Sequence, residues 1–212
     1  MEALSCARVA VFGIGGVGGY VVEALVRSGV GAIDIIDHDY ISESNINRQI
    51  IADVNTIGRP KTEVMHERIA RINPDCKVTE HRLMYLPDTV DLIHFRDYTY
   101  VVDAVDTVTA KLLIIERAKE AGVPVISCMG TAGKLDPGKL TIGDISETSI
   151  CPLARVMRKE LKARDISDVK VCYSTEEPIK AEEGRPGSSA IVPPSAGLLI
   201  AGEVIKEIGG MH

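Results

Sequence analysis

Hydrophobic residues follow two different periods along the first 130 residues of the chain. Short, nearly continuous apolar runs, typical of buried strands, alternate with stretches in which apolar residues recur every three or four positions, typical of helices. The predicted strands are 8–12, 32–36, 98–102 and 123–128, and the predicted helices are 20–26, 60–72 and 107–121. This alternation indicates an α/β fold, in which helices cover both faces of a mostly parallel sheet. A shorter, more polar strand is expected at an edge of the sheet, at 77–81.

The pattern changes beyond residue 130. Residues 139–145 alternate between apolar and polar positions, as in a strand with one exposed face. A helix at 152–163, a strand at 169–174 and a mostly apolar helix at 196–208 follow. The segment 176–189 is rich in Glu, Pro, Gly and Ser and is predicted to be a mobile loop. We therefore expect a smaller antiparallel and helical part over residues 131–212 that continues the same domain.

A glycine-rich turn joins the first predicted strand to the first predicted helix. Gly13, Gly15 and Gly18 match G-x-G-x-x-G, whose glycines allow a tight turn, close approach of phosphates and close packing of the helix on the strand. Asp37 ends the second predicted strand, about 20 residues beyond the turn, where an acid can bind a ribose hydroxyl. Strand, turn, helix and acid together predict a Rossmann-like nucleotide-binding half over residues 1–130.

The composition narrows the function classes. The 212 residues carry a formal net charge of −6, which argues against broad nonspecific binding of nucleic acid but is compatible with a local basic patch. No apolar stretch approaches the roughly 18 residues of a membrane span, and the first residues lack the pattern of a signal peptide. The five cysteines include no C-x-x-C pair that would suggest zinc or a redox dithiol. We expect a cytoplasmic protein with no membrane partner.

Candidate phosphate-binding side chains follow the predicted ribose acid. Asn45 and Arg48 lie in the polar stretch after Asp37, and Lys61 begins the next helix. Arginine and lysine bind polyphosphate oxygens, although for each cation alone a solvated surface position is the commoner explanation. Asp106 lies at the sheet edge where open α/β folds bind ligands. Its position is compatible with a magnesium or nucleotide role, and equally with the N-cap of the following helix.

The same residues belong to a set of motifs. In chain order these are Gly13-x-Gly15-Gly16-x-Gly18, Asp37-His38-Asp39, Ser44-Asn45-Ile46-Asn47-Arg48-Gln49, Gly58-Arg59-Pro60-Lys61 and Asp103-Ala104-Val105-Asp106. As a set they resemble the ThiF/MoeB/HesA family of ubiquitin-activating-enzyme-like adenylating enzymes. The missing zinc cysteines and the segments 69–74, 173–176 and 192–198 resemble the tRNA threonylcarbamoyladenosine dehydratase branch of that family.

The resemblance implies an ATP-dependent reaction. A substrate carboxylate attacks the α-phosphate, pyrophosphate leaves, and a nucleophile then captures the acyl-adenylate. The residues that the resemblance assigns to the cofactor are Gly13, Gly15, Gly16, Gly18, Asp37, Asp39, Asn45, Arg48, Lys61 and Asp106. Asp37 would bind the ribose, Asn45, Arg48 and Lys61 would stabilise charge on the phosphates, and Asp106 would hold Mg²⁺. Arg48, Lys61 and Asp106 are thus the candidate catalytic residues.

In the dehydratase branch, the carboxylate belongs to the threonyl group of a modified adenosine beside the tRNA anticodon. The nucleophile lies within the same group, so that a ring closes and AMP leaves. The implied partners are tRNA and a second copy of the chain, with residues 131–212 as the substrate and dimerisation part. Relatives carry an N-terminal arginine that reaches the neighbouring subunit's ATP site. Arg8 belongs to the first strand and does not match it, so this chain is expected to be a shortened form or to dispense with that arginine.

Two features of the second half are candidates for substrate handling. A basic stripe on the helix at 152–163 offers a tRNA contact, although a solvated helix face explains it equally well. Its members are Arg155, Arg158, Lys159 and Lys162, and the opposite, apolar face carries Leu153, Val156, Met157 and Leu161. Cys151 precedes the same helix, whose dipole would lower the pKa of the thiol, and is a candidate reactive cysteine.

Three other functions stay open at this point. The first is adenylation of the C-terminus of a ubiquitin-like sulfur-carrier protein, with that carrier or a sulfur-transfer protein as partner. The second is an NAD-dependent oxidoreductase that uses the same glycine turn and Asp37. The third is a nucleotide-binding protein without catalysis.

Overall fold

Seven strands form one sheet in the computed structural model, which describes residues 2–179 and 187–211. The strands are β1 (Arg8–Phe12), β2 (Ala32–Ile36), β3 (Lys77–His81), β4 (Tyr100–Asp103), β5 (Val125–Cys128), β6 (Leu140–Asp144) and β7 (Lys170–Ser174). Their order across the sheet is β3-β2-β1-β4-β5-β7-β6. Neighbouring strands run parallel except β6, which pairs antiparallel with β7. The predicted mostly parallel α/β sheet is confirmed.

Six α-helices accompany the sheet in the described residues. They are α1 (Glu2–Cys6), α2 (Gly18–Arg27), α3 (Lys61–Ile72), α4 (Val108–Ala121), α5 (Pro152–Lys162) and α6 (Val192–Ile208). The last helix begins four residues before its predicted start, because two prolines fit the unbonded N–H positions of its first turn. The short helix α1 has no counterpart in the sequence prediction, since five residues carry too little periodicity. The predicted loop at 176–189 lies partly outside the described residues, at 180–186.

The strands bury side chains on both faces, as a covered parallel sheet requires. In β1, Val9 and Val11 pack in the cluster beneath α2, α3 and α6, while Ala10 and Phe12 pack in the cluster beneath α4. A third cluster joins α4 to α5. None of the described helices is both long enough and apolar enough to cross a membrane.

The strand order determines where a ligand can bind. The chain runs outward from β1 to β2 and β3 on one side, and returns to β4 on the other side. The connections after β1 and after β4 therefore leave the carboxyl edge in opposite directions and open a crevice between them. The glycine turn follows β1 and the segment 104–107 follows β4, so the fold places both at this crevice.

A buried carboxylate joins the first three strands of the chain. Asp34 in β2 is 1% exposed, and it accepts two hydrogen bonds from Arg8 at 2.8 and 3.0 Å and one from the Tyr98 hydroxyl at 3.0 Å. The ring of His81 in β3 lies 2.7 Å from the same carboxylate. Burial raises the pKa of Asp34, but the hydrogen bonds to His81 and Arg8 outweigh it and leave the pKa below its usual value.

We expect Asp34→Asn to lower the free energy of unfolding by about 1–3 kcal/mol near neutral pH, because it breaks charge-assisted hydrogen bonds in a buried site. Since the folded-state pKa is lowered, this stability is present above the unfolded pKa of about 3.9 and is lost as the pH falls through the folded pKa. Urea unfolding of both proteins between pH 7 and pH 3 measures the difference. Asp75→Asn, at an exposed position, is the control. A difference that does not shrink below pH 4 would contradict this assignment.

Candidate functional site

A cavity of about 290 Å³ opens at the carboxyl edge between β1 and β4. Its size is near the lower limit for small-molecule sites, and its walls combine apolar and polar groups. The sequence-predicted residues that line it are Gly13, Gly15, Gly16, Asp37, Asp39, Asn45, Arg48, Lys61 and Asp106. Residues from five separate motifs of the chain thus meet in one place.

The glycines of the turn are needed for different structural reasons. A Cβ on Gly18 would lie 1.8 Å from the carbonyl oxygen of Gly13, so the start of α2 touches the turn itself. Gly13 has a φ of +87° and leaves no room for a side chain beside the carbonyl of Ala104. Around Gly15 the nearest atom to such a Cβ is 3.9 Å away, on Gln49. The fold therefore requires glycine at 13 and 18, whereas the space above Gly15 belongs to the cavity.

Asp37 lines the cavity and is hydrogen-bonded to the glycine turn. Its carboxylate accepts a hydrogen bond from the backbone N–H of Ile14 at 2.6 Å and one from that of Asp39 at 2.8 Å. The residue is 8% exposed. Each carboxylate oxygen has a second lone pair, so the group can still accept a bond from a ligand hydroxyl.

Lys61 provides the buried positive charge of the site. Its Nζ lies 2.7 Å from Asp39 and 3.7 Å from Asp37, and the residue is 5% exposed. Ligand atoms of Asp37, His38 and Asp39 also lie within 4.8 Å of one another, close enough to share a metal ion. The ammonium group of Lys61 contacts both carboxylates and offsets one of their two negative charges, so part of the charge of this cluster is balanced without a metal ion.

Arg48 also lines the cavity and packs against the turn. A Cβ on Gly16 would lie 3.3 Å from Cγ of Arg48, and its guanidinium donates to the carbonyl of Ser44 at 2.9 Å and to Oδ1 of Asn47 at 2.8 Å. Asn45 closes the same turn, because its side chain accepts from the backbone N–H of Ser42 at 3.1 Å. In the described residues, neither partner of the Arg48 guanidinium is a carboxylate.

Asp106 is exposed at the edge of the cavity. The helix cap is Thr107, and the Asp106 carboxylate accepts a long hydrogen bond of 3.4 Å from the Thr107 hydroxyl. A role as the N-cap therefore does not explain Asp106. Since Mg²⁺ prefers carboxylate and phosphate oxygens, an exposed carboxylate beside the turn fits this ion.

Several cavity residues were missed by sequence reasoning. They are Gln49, Leu83, Met84, Tyr85, Thr131, Ser188 and Pro193. Gln49 and Pro193 belong to motifs that were recognised without a role, whereas the segment 83–85 carries no pattern at all. Oε1 of Gln49 is buried without a hydrogen-bond partner. Nδ2 of Asn47 donates to the carbonyl of Ser188 at 2.9 Å, which ties the second half of the chain to the cavity rim.

Cys151 is enclosed. It is 2% exposed, and its sulfur would lie 3.3 Å from a Cβ on Gly130. The neighbouring Lys134 is also buried, with no hydrogen-bond partner for its Nζ, and this burial lowers the pKa of the amine. A thiol in this position cannot reach a bound macromolecule unless the surrounding loop moves.

Only part of the predicted basic stripe on α5 is free to contact another molecule. Arg155, Lys159 and Lys162 are exposed, whereas the guanidinium of Arg158 donates to the carbonyl and the hydroxyl of Thr148. The helix packs through Ala154, Met157 and Leu161. Val156, predicted on the apolar face, is instead 44% exposed, because the buried seam of α5 is narrower than the sequence pattern suggests.

Comparison with known proteins shows the family of this chain. The model of the ThiF family matches residues 1–212. The chain belongs to the ThiF family. The tRNA threonylcarbamoyladenosine dehydratase of Bacillus subtilis is 39% identical over 98% of this chain and 89% of its own length. The dehydratase of Escherichia coli is 39% identical over 77% of this chain and 61% of its own length.

Crystal structures of the E. coli dehydratase superimpose closely on this ThiF-family chain. The complex with AMP gives a TM-score of 0.93 at 33% identity, over 99% of this chain and 88% of the other. The complex with ATP gives a TM-score of 0.90 at the same identity and coverage. The family and the dehydratase branch predicted from the motifs are thus confirmed as the relatives of this chain.

Gly15 and Gly18 have different surroundings in this ThiF-family turn, so substitutions at the two positions should affect ligand binding and folding separately. We expect Gly15→Ala to keep the melting temperature within about 2 °C, but to weaken ATP binding about 10-fold or more, because the added methyl group enters the cavity. Gly18→Ala should lower the melting temperature strongly, since its methyl group would overlap the carbonyl of Gly13. Thermal unfolding and calorimetric titration with ATP measure both. Equal loss of stability in the two variants would contradict this distinction.

Proposed function

We propose that the chain is an ATP-dependent adenylating enzyme that catalyses the cyclising dehydration of threonylcarbamoyladenosine in tRNA. The observation that carries this proposal is the meeting of the glycine turn, Asp37, Lys61, Arg48 and Asp106 in one cavity at the carboxyl edge. The dehydratases to which the chain is similar support the choice of substrate. The oxidoreductase alternative has no such support from the relatives named above.

The cavity offers a place for each part of ATP. Asp37 accepts from a ribose hydroxyl, with its orientation fixed by the N–H groups of Ile14 and Asp39. The segment 83–85 and Ile36 form an apolar wall for the base. The open face of Gly15 and the amino end of α2 receive the phosphates, because unpaired helix N–H groups and the helix dipole favour an anion there.

Charge stabilisation follows from the two cations that line the cavity, Arg48 and Lys61. As the substrate carboxylate attacks the α-phosphate, negative charge grows on the phosphate oxygens, and Arg48 can bind them with a planar fork. Lys61 contributes a point charge from its buried position between Asp37 and Asp39. Asp106 would hold Mg²⁺, which supplies charge neutralisation at the phosphates when it is bound.

The proposed reaction needs no enzyme nucleophile. The threonyl carboxylate bonds to the α-phosphorus and pyrophosphate leaves. A nucleophile within the same modified group then attacks the activated carbonyl, the ring closes, and AMP carries away the oxygen. The net change in the nucleoside is the loss of one water. The enclosed position of Cys151 is compatible with this chemistry. It fits less well with a mechanism in which the activated acyl group is transferred to an enzyme cysteine.

We further infer the division of labour expected from the sequence. Residues 1–130 bind the nucleotide, and residues 131–212 serve the substrate and a homodimer contact in a cytoplasmic enzyme. Exposed Leu198 and Leu199 on α6, 51% and 38% accessible, favour that contact surface. Sedimentation equilibrium of the purified protein tests the homodimer, because a monomer mass at micromolar concentration would contradict it.

The activity test combines the protein with ATP, Mg²⁺ and tRNA that carries threonylcarbamoyladenosine. Digestion of the RNA and mass spectrometry should show a nucleoside lighter by one water, only when ATP is present. Arg48→Ala should reduce the rate at least about 100-fold, because it removes a preorganised cation from the phosphates. Arg117→Ala, on the outer face of α4, is the matched control and should leave the rate unchanged.

The outcomes separate the remaining alternatives. An unchanged nucleoside in a protein that binds ATP contradicts the dehydratase proposal. ATP–pyrophosphate exchange that depends on a ubiquitin-like carrier would then favour the sulfur-carrier function, and no exchange would favour nucleotide binding without catalysis.

The basic stripe has its own test. Replacing Arg155, Lys159 and Lys162 together by alanine should weaken tRNA binding and reduce the slope of log K against log salt by up to about 3, roughly one for each phosphate that is no longer neutralised. ATP affinity should not change. The control variant replaces three exposed cations elsewhere, Arg71, Lys77 and Lys206. Equal loss of tRNA affinity in both variants would mean that α5 is not a specific contact surface.

A further inference from the structure

One completely buried lysine lies near the cavity without lining it. Lys111 on α4 is 0% exposed, and its Nζ donates to Oδ2 of Asp103 at 3.0 Å, to the Ser127 hydroxyl at 3.2 Å and to the carbonyl of Cys128 at 2.7 Å. All three N–H donors of the ammonium group are therefore used. The lysine connects α4 to the carboxyl ends of β4 and β5.

Asp103 links this lysine to the cavity wall. Oδ2 of Asp103 accepts from Lys111 and from the Ser127 hydroxyl, and Oδ1 accepts from the backbone N–H of Val105 at 3.2 Å. Asp103 is also 0% exposed. The side chain that ends β4 thus bonds to the segment that follows it, and Lys111 fixes the orientation of that side chain.

The segment held in this way is part of the nucleotide site. Ala104, Val105 and Asp106 line the cavity. The N–H of Ala104 bonds to the carbonyl of Phe12 at 2.8 Å, and a Cβ on Gly13 would lie 2.7 Å from the Ala104 oxygen. Ala104 is therefore held closely against the glycine turn, and the bond from Asp103 to the N–H of Val105 holds the next residue, between Ala104 and Asp106.

A buried ion pair is an expensive way to gain stability. Removing two charges from water is unfavourable, and well-packed apolar residues in their place would often be as stable. What the pair supplies is a fixed geometry, because every donor of Lys111 has a specific partner. We propose that Lys111 is a positioning residue of the nucleotide site, which holds Asp103 so that the segment 104–106 keeps Asp106 beside the glycine turn.

This inference rests on the nucleotide site of the proposed function but not on its tRNA substrate. Lys111→Met keeps much of the side-chain volume and removes the charge, which leaves the Asp103 carboxylate buried and uncompensated. The amide proton of Val105 should then exchange about 10-fold faster or more in an NMR hydrogen-exchange experiment without nucleotide. ATP affinity should fall about 10-fold, as expected when the support of a binding group is lost. Lys119→Met, on the exposed part of α4, is the matched control.

Two neutral double variants keep the test decisive if Lys111→Met does not fold. Asp103→Asn with Lys111→Met retains an oxygen for the N–H of Val105, and should restore slow exchange and ATP affinity close to those of the unchanged protein. Asp103→Ala with Lys111→Met has no such oxygen, and should show fast exchange and weak binding. Exchange and affinity that stay within two-fold in Lys111→Met, or that are equal in the two double variants, would overturn the proposal. Failure of the tRNA reaction alone leaves both measurements intact.

Discussion

The close contact between the end of β1 and the start of α2 governs the geometry of the molecule. Gly18 has no side chain, and none would fit, because its Cβ position lies 1.8 Å from the Gly13 oxygen. The helix can therefore begin directly over the end of the strand, with its free N–H groups facing the crevice between β1 and β4. Gly197 on α6 lies against the same helix start, since a Cβ there would come within 2.4 Å of the Val17 oxygen. The end of β1, the start of α2 and helix α6 thus meet at this turn.

Most of the fold could be predicted from the sequence, because it depends on local patterns. Each predicted strand matches a strand of the sheet to within about two residues, and the edge position of β3 follows from its polar composition. The C-terminal strands were harder. β7 pairs parallel to β5 and only β6 runs antiparallel, so one sheet continues through the second half. Strand direction depends on contacts between distant residues, and no local pattern encodes it.

The site was predictable where motifs fix the chemistry, and less so where burial decides it. The sequence pattern brought Asp37, Arg48, Lys61 and Asp106 together, and the structure places them in one cavity. It included Asp103 in a motif without assigning it a role and gave Lys111 no role, because the burial of a charged residue depends on partners far along the chain, here Ser127 and Cys128. For the same reason the sequence pattern did not show that Cys151 is buried or that the guanidinium of Arg158 is hydrogen-bonded to Thr148.

The charges of the cavity bear on the proposal that a nucleotide binds there together with a cation. Among the described lining residues, the three carboxylates of Asp37, Asp39 and Asp106 oppose the two cations Arg48 and Lys61, so their sum is −1. Lys61 is already shared between two of the acids. Arg48 and the amino end of α2 are thus the main attraction for a polyanion, and they must act against the exposed Asp106. If Asp106 holds a divalent cation as proposed, the charge of that cation would offset this repulsion, which would give the exposed carboxylate a physical reason to lie beside the glycine turn.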